Sequence, residues 1–424
     1  MVQPATTEQG PAELLADLQT VLAVSRALGA ERDLDRLLAL IVASTTDLVD
    51  AERTSLFVVD RERGELWTRV AEGSGEIRLP VGRGIAGSVA ADGRLINIPS
   101  AYDDPRFDPG HDQRTGFRTR SILCLPMINH DGIVVGVIQT LNKRGAASFG
   151  PRDEQVLAAL AAQAGVALEN AQLLQRDRER QRMLHDLELA RTIQLGLLPE
   201  TVPQVPGWEF AAWQRSCDAT GGDYHDFIPG PDGAIDGVVG DVSGHGIAAA
   251  MLMSTARAFL LALHRHDAAP GHLVAELNRL LARDMADDAF MTMVLARFRR
   301  DGAIDYVSAG HEPPLVWRSA AGTWDDLAST GLALGMLDDG DFDVASVAPL
   351  APGDVAILLT DGITEAHAPP VRDLFGNDRL RAAVAATRGG DAGGILAAIV
   401  AAVDAWLAGH PQHDDMSIIV ARRT

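Results

Sequence analysis

Residues 221–227 read GGDYHDF and residues 240–246 read GDVSGHG. Each sets an aspartate, Asp223 and Asp241, beside glycine at the edge of a β-rich apolar run. The same design returns in AILLTDGITE (356–365, with Asp361) and HDDMSIIVAR (413–422, with Asp414 and Asp415). An isolated Asp-Gly after a strand is more often a turn than a ligand, and Asp232-Gly233 and Asp301-Gly302 read as turns. Strand ends that all finish in carboxylate carry more meaning if the fold gathers them, because buried aspartates repel one another unless a cation compensates. Carboxylate and carbonyl oxygens suit hard divalent ions such as Mg²⁺ or Mn²⁺. Zinc would ask for His and Cys at close spacing, which the sequence lacks.

The rest of the composition sets bounds. At 424 residues with 47% apolar and 22% charged residues, the chain is long enough for two domains and too apolar for general disorder. A formal charge of −21 leaves no basic face for nucleic acid. The N-terminus, MVQPATTEQGPAELLADLQ, lacks a secretory signal pattern. The most apolar stretch, 248–263, contains Ser254, Thr255 and Arg257 and falls short of the roughly 20 apolar residues of a bilayer span. Cys124 and Cys217 stand alone. A soluble protein of a reducing cytoplasm is the expectation.

Along the chain, Leu14, Leu18, Val21 and Leu28 predict a helix over 11–29 that stops at Gly29, and a second helix follows over 33–48. Strands are expected at 53–60, 65–71, 95–98, 120–129 and 133–142, giving an α+β module of about 150 residues. From Pro151 to Leu198 almost no helix breaker occurs, and Pro199, Pro203 and Pro206 then end the pattern. Met183, Leu187, Ala190, Ile193 and Leu197 recur at spacings of three and four, which fits either one amphipathic helix or a coiled coil in a homodimer. After Gly207, strands at 208–216, 224–229, 235–241, 291–299, 303–308, 314–318, 355–360 and 416–422 interleave with helices at 246–265, 270–284, 377–387 and 392–408. Helices grouped between runs of strands indicate a layered α+β domain.

In order, GGDYHDF, GDVSGHG, SAGHEPPLV (308–316), STGLALGM (329–336), LLTDGITEA (358–366) and HDDMSIIV (413–420) resemble the SpoIIE-type branch of the metal-dependent serine/threonine protein phosphatases, the PPM family. The resemblance covers 201–424 and implies an α-β-β-α sandwich with two Mn²⁺ or Mg²⁺ ions. It implies that Asp241 bridges both ions, that Asp223 and the Val242 carbonyl serve one, and that Asp361 and Asp414 serve the other. Asp415 stands where many relatives carry asparagine. The implied reaction is in-line attack of water on a phosphoserine or phosphothreonine, with His245 and His311 either at the phosphate or shaping loops. The implied substrate is a bacterial regulatory protein, a STAS-type anti-sigma-factor antagonist first; a non-catalytic signalling scaffold is the alternative.

After an N-terminal helix over 1–30, residues 31–172 resemble a GAF domain, on RTSLFVVD, LPVGRGIAGSVAADGRLINIPSAYDDPRFDP, RSILCLPMINHDGIVVGVIQTLNK and FGPRDEQVLAALAAQAGVALENAQL. A helical linker over 173–200 then joins the two domains. Asn142, Lys143, Phe149 and Asp153 match the N-K-F-D pattern of cyclic-nucleotide-binding GAF domains, and they equally suit a structural ion pair between the last strand and the following helix. The segment 188–210 looks like the helix-to-proline entry of phosphatase domains in bacterial stress-response regulators, where the connecting helix biases a switch in the metal site.

Overall fold

A computed structural model of the chain describes residues 11–68, 77–265, 269–286, 288–368, 373–387 and 389–424. They form two compact units, 1–182 and 183–424. In the first, the helix Pro11–Ala30 runs through Gly29 and is followed by Leu34–Leu48, whose first turn is capped by the Asp33 carboxylate. Leu28 is buried, whereas the side chains of Leu14 and Leu18 lie outside the described residues. An antiparallel six-stranded sheet takes the order Ile77–Pro80, Glu65–Thr68, Ala51–Asp60, Val134–Lys143, Ile122–Ile128, Ile96–Ile98. The strand expected over 65–71 is seen as Glu65–Thr68, and its remainder lies outside the described residues.

Alternation along these strands sends Leu56, Val58, Leu123, Leu125 and Ile138 to one face, where they pack on Leu37, Leu38, Ile41, Leu157, Leu160, Ala164 and Leu168. Phe57, Ile122, Cys124 and Val137 line the other face with Ile85, Ala86 and Val89 of the helix Gly84–Asp92. That helix was not legible as a periodic segment, because six of its nine residues are glycine, alanine or serine.

The helix Pro151–Leu195 is continuous, so the expected linker is the distal half of one element, and it stops three residues short of Leu198. This helix and Ile247–His264 have the length and hydropathy of a membrane span. Both nevertheless bury an apolar face in a protein core: Leu157, Leu160, Ala161, Ala164 and Leu168 in one, Ala249, Ala250, Met253, Ala256 and Leu260 in the other.

The second unit stacks two antiparallel five-stranded sheets. One runs Ala345–Val347, Ile304–Ala309, Met291–Phe298, Ile235–Val242, Tyr224–Pro229; the other runs Thr323–Trp324, Leu315–Arg318, Val355–Leu359, Met416–Arg423, Trp208–Arg215. Their facing sides share Val239, Val294, Phe298, Leu358, Ile419 and Ala421. The outer face of the first sheet, with Val238, Met293 and Leu295, is covered by Ile247–His264 and Pro270–Asp284. The outer face of the second, with Ile357, Ile418 and Val420, is covered by Gly376–Ala386 and Ala392–Leu407. Strands buried on both faces read as continuous apolar runs, which is why VAILL and SIIVA show little polar alternation. The layers are helix, sheet, sheet, helix, as expected.

A carboxylate centre at one end of the sandwich

Asp241 is the penultimate residue of Ile235–Val242, and Asp223 immediately precedes Tyr224–Pro229. These strands are antiparallel, with Tyr224 opposite Gly240, so the start of one meets the end of the other. In the facing sheet Leu359 pairs with Ile418. The same geometry therefore puts Asp361, first residue of the short helix Asp361–Thr364, beside Asp414, two residues ahead of Met416–Arg423. The fold thus collects all four predicted aspartates at one end of the sandwich.

Asp223 is completely buried. One of its oxygens, Oδ2, accepts from the Thr360 hydroxyl at 2.8 Å; the other, Oδ1, has no hydrogen-bond partner. Burial, and then the Asp241 charge, push its carboxyl well above the ordinary value. Asp241 is pushed up to about 7 by burial and by Asp361, Asp414 and Asp415 in turn. Asp414 is raised by burial and by Asp361 and Asp415, against the Asp415 N–H that its side chain accepts at 2.8 Å. An orphaned buried carboxylate oxygen among mutually repelling acids is the signature of a place built for positive charge.

The main chain fits the same purpose. A Cβ on Gly222 would lie 2.8 Å from the Val242 carbonyl oxygen and 3.3 Å from Asp241 Oδ1, so glycine there keeps that carbonyl open. A Cβ on Gly362 would collide with the Asp415 carbonyl. The Asp361-Gly362 pair is thus a close packing contact, whereas Asp232-Gly233 and Asp301-Gly302 are turns with left-handed residues, as expected. The donor set is all oxygen and suits a hard divalent cation. It is spread out rather than closed around one point: among the described residues, the only His, Cys, Asp or Glu group with three ligand atoms within 4.8 Å of one another is His130, Asp131 and Glu169, in the first unit.

Several roles were not readable from sequence. Asp415 is 4% exposed and faces the backbone: its oxygens accept from Cys217 N–H at 2.7 Å and Gly222 N–H at 2.7 Å. It thereby fixes the loop that delivers Asp223. Thr360 links Asp223 to the Ser417 N–H, which its hydroxyl accepts at 2.9 Å. Gln194, near the end of the long helix, donates to the Gly221 carbonyl at 2.5 Å and accepts the Gly221 N–H at 3.1 Å. His311 shapes a loop: Nε2 donates to the Leu359 carbonyl at 2.8 Å, and Nδ1 meets the Thr292 hydroxyl at 2.8 Å. Burial lowers its pKa to about 4, so it is neutral. His225 is likewise buried, at 2.9 Å from Gln214 Oε1. His245 is exposed and pairs with Asp218 at 2.8 Å.

Residues 231–424 match the Stage II sporulation protein E (SpoIIE) family and residues 33–168 match the GAF domain family. The chain joins a GAF domain to a SpoIIE-type phosphatase domain. Asp241, Asp361 and Asp414 lie inside the SpoIIE match, and Asp223 lies ahead of it. Among solved structures, the SiaA-PP2C domain of Pseudomonas aeruginosa is 23% identical, covers 58% of this chain and 98% of its own, and superposes with a TM-score of 0.51, a likeness of fold. Two curated relatives are the dual 3',5'-cyclic-AMP and -GMP phosphodiesterase 11A of Takifugu rubripes, 36% identical over 173 residues, and a probable 3',5'-cyclic phosphodiesterase, pde-5, of Caenorhabditis elegans, 36% identical over 154. Those matches take in 37% and 33% of this chain, which spans only 19% and 21% of the relatives' lengths.

In the GAF domain the N-K-F-D residues are all in structural use. Lys143 Nζ donates to Asp153 at 3.0 Å and to the Val49 carbonyl at 2.9 Å. Asn142, in the left-handed region at φ 58°, donates to Glu52 at 2.8 Å and Arg118 O at 2.9 Å and accepts from Arg120 N–H at 2.6 Å. Phe149 is buried in the core. Cys124 is fully buried, and burial raises its thiol, which is packed rather than reactive.

Proposed function

We propose that the chain is a sensor-regulated, metal-dependent protein phosphatase that hydrolyses phosphoserine or phosphothreonine on a regulatory protein, a STAS-type anti-sigma-factor antagonist first. The observation that carries this reading is the buried Asp223 carboxylate with an unpartnered oxygen, set against Asp241 at the meeting point of two strand ends. In this reading Asp223, Asp241, Asp361, Asp414 and the Val242 carbonyl hold two Mn²⁺ or Mg²⁺ ions, with Asp241 shared between them. Bound divalent cations supply charge for the phosphoryl oxygens and acidify water at neutral pH. The chain's own residues prepare for this. Asp415 and Gln194 fix the loop at 217–222, Thr360 orients Asp223, and Gly222 leaves the Val242 carbonyl accessible.

The GAF domain is the sensor in this scheme. The names of the curated relatives make cAMP and cGMP the first ligands to try, although the N-K-F-D side chains already serve the fold. Met183, Leu184, Leu189 and Ile193 are more than half exposed on the long helix, apolar surface that a homodimer paired along it would cover; a cytoplasmic location is part of the same reading. The test is hydrolysis of a phosphoserine-bearing protein by the full chain with Mn²⁺, with and without cyclic nucleotide. Activity that Asp241→Asn abolishes supports the enzyme; phosphoprotein binding without Mn²⁺-dependent turnover would make the chain a scaffold.

A further inference from the structure

The motif STGLALGM (329–336) has no place in the scheme above, and its side chains divide sharply. Leu334 is fully buried in the core with Met291, with which it exchanges two backbone hydrogen bonds of 2.8 and 3.0 Å. Leu332, Met336 and the next residue, Leu337, are each more than half exposed. A slack loop is not the cause. The buried amide of Asn278, on Pro270–Asp284, donates to the Leu337 carbonyl at 2.7 Å and accepts the Gly335 N–H at 2.9 Å, and Phe342 anchors the far end of the segment in the same core. Two more apolar side chains are exposed nearby: Ile247 and Met251, one turn apart at the start of Ile247–His264. Backbone contacts join the two places. Ser243, in the turn ahead of that helix, donates its N–H to the Phe290 carbonyl at 2.9 Å and accepts the Phe290 N–H at 3.0 Å, and Met291 comes next. Val242 pairs with Met291 and Asp241 with Thr292, so this apolar rim begins beside the carboxylate centre.

Several large apolar side chains held together in water mark a surface that a partner covers, and the surrounding charge indicates which partner. Asp338, Asp339, Asp341 and Asp343 follow Leu337, all exposed, and 329–344 contains no lysine or arginine. Apolar side chains bordered by carboxylates complement a face that offers apolar residues with lysine or arginine, and they repel an acidic one. A second copy of this chain, at a formal charge of −21 and carrying the same acids, would set like charges together. We propose that Ile247, Met251, Leu332, Met336 and Leu337, with the acids that follow, form the docking surface for the phosphoprotein substrate, which meets it with an apolar, basic face next to its phosphorylated residue. This rests on the phosphatase reading and narrows its substrate class. A small phosphate ester does not reach the rim and does not need it.

The experiment uses phosphoserine peptides of about twelve residues, roughly 40 Å when extended, that flank the phosphoserine with leucine and lysine, with leucine and glutamate, or with serine and glycine. Binding to the full chain is followed by fluorescence anisotropy with Mn²⁺, and hydrolysis is compared with that of p-nitrophenyl phosphate. The leucine–lysine peptide is expected to bind about tenfold more tightly than the other two, with a margin that shrinks in high salt. Met251→Ser combined with Met336→Ser and Leu337→Ser should remove most of that margin and raise KM for the peptide, with p-nitrophenyl phosphate turnover unchanged. Asp338→Asn combined with Asp339→Asn and Asp341→Asn should remove the preference for lysine over glutamate. Peptides that bind alike, or variants that bind the leucine–lysine peptide as the parent does, overturn the proposal. So does a serine variant that sediments as a smaller species than the parent, which would make the rim a contact between copies. The two claims fail separately. Mn²⁺-dependent hydrolysis of p-nitrophenyl phosphate without discrimination among the peptides removes the docking surface alone; rim-dependent peptide binding without Mn²⁺-dependent hydrolysis removes the phosphatase reading and leaves the docking surface in place.

Discussion

Replacing Asp241 by asparagine should make the metal-free protein more stable. The Asp241 carboxyl rises from an ordinary 3.8 to about 7 in the fold, through burial first and the neighbouring Asp361, Asp414 and Asp415 charges next. A carboxyl raised in this way favours the native state while protonated, and that contribution is lost as pH rises through the folded value. The gap corresponds to about 4 kcal/mol at most at pH 8. Because Asp241 and Asp223 titrate as a pair and asparagine rearranges local hydrogen bonds, a gain of about 2 to 4 kcal/mol is expected. For a unit of this size that is a rise of roughly 5 to 15 °C in melting temperature. The assay is calorimetry of the full chain in chelator at pH 8 and again near pH 4, where both forms are uncharged and the gain should largely vanish. Added Mn²⁺ should then stabilise the parent and not the variant. An Asp241→Asn protein no more stable than the parent at pH 8, or one that gains equally at pH 4, would refute the idea that like-charge burial strains this site.

Other consequences follow from the same geometry. His311 is neutral with its pKa lowered to about 4, so the stability it contributes is present above about 6.5 and lost as pH falls toward 4. Acid urea titrations of the parent should show a loss of about 3 kcal/mol across that window that His311→Gln does not share. Lys143→Met leaves the Asp153 carboxylate short of its ion pair and should destabilise the GAF domain by about 2 to 3 kcal/mol, read from its unfolding transition in the full chain; an unchanged transition would argue against the structural role. Asp415→Asn can keep only one of the two backbone acceptor sites. It should cost about 1 to 3 kcal/mol and weaken Mn²⁺ binding, since the freed loop carries Asp223.

How much of this was legible beforehand depended on which forces placed each residue. The long periodic helices and the doubly buried strands were readable because pattern and burial agree: Val355–Leu359 and Met416–Arg423 alternate between two apolar layers. The gathering of Asp223, Asp241, Asp361 and Asp414 was legible through repeated strand-end carboxylates and ordered motifs. Roles set by contacts distant in sequence were not. Asp415 sits beside Asp414 yet faces backbone 193 residues away at Gly222, and nothing local distinguishes a ligand from an anchor. His311 reads from its motif loop as either a phosphate contact or a loop-shaping residue, and its burial against Leu359 and Thr292 favours the second. Short elements such as Gly84–Asp92 and Asp361–Thr364 are too brief for periodicity to register.

The loop that delivers Asp223 also sets a scale for regulation. Gly221 gives both its N–H and its carbonyl to Gln194, which is 8% exposed, and a side chain at Gly221 would collide with the Asp415 carboxylate. A rotation of the helix end by one residue, about 100°, takes Gln194 off this backbone. If nothing replaces it, each buried group left unpaired costs about 1 to 3 kcal/mol. Since each 1.4 kcal/mol is a factor of ten, losing both contacts, about 2 to 6 kcal/mol together, shifts the population of correctly shaped Asp223 loops by about thirty- to twenty-thousand-fold. A sensor therefore needs no large displacement to govern cation binding. It needs only to bias which face the last turn of Pro151–Leu195 offers to Gly221, and Gln194, not the aspartates themselves, is where that bias would be felt first.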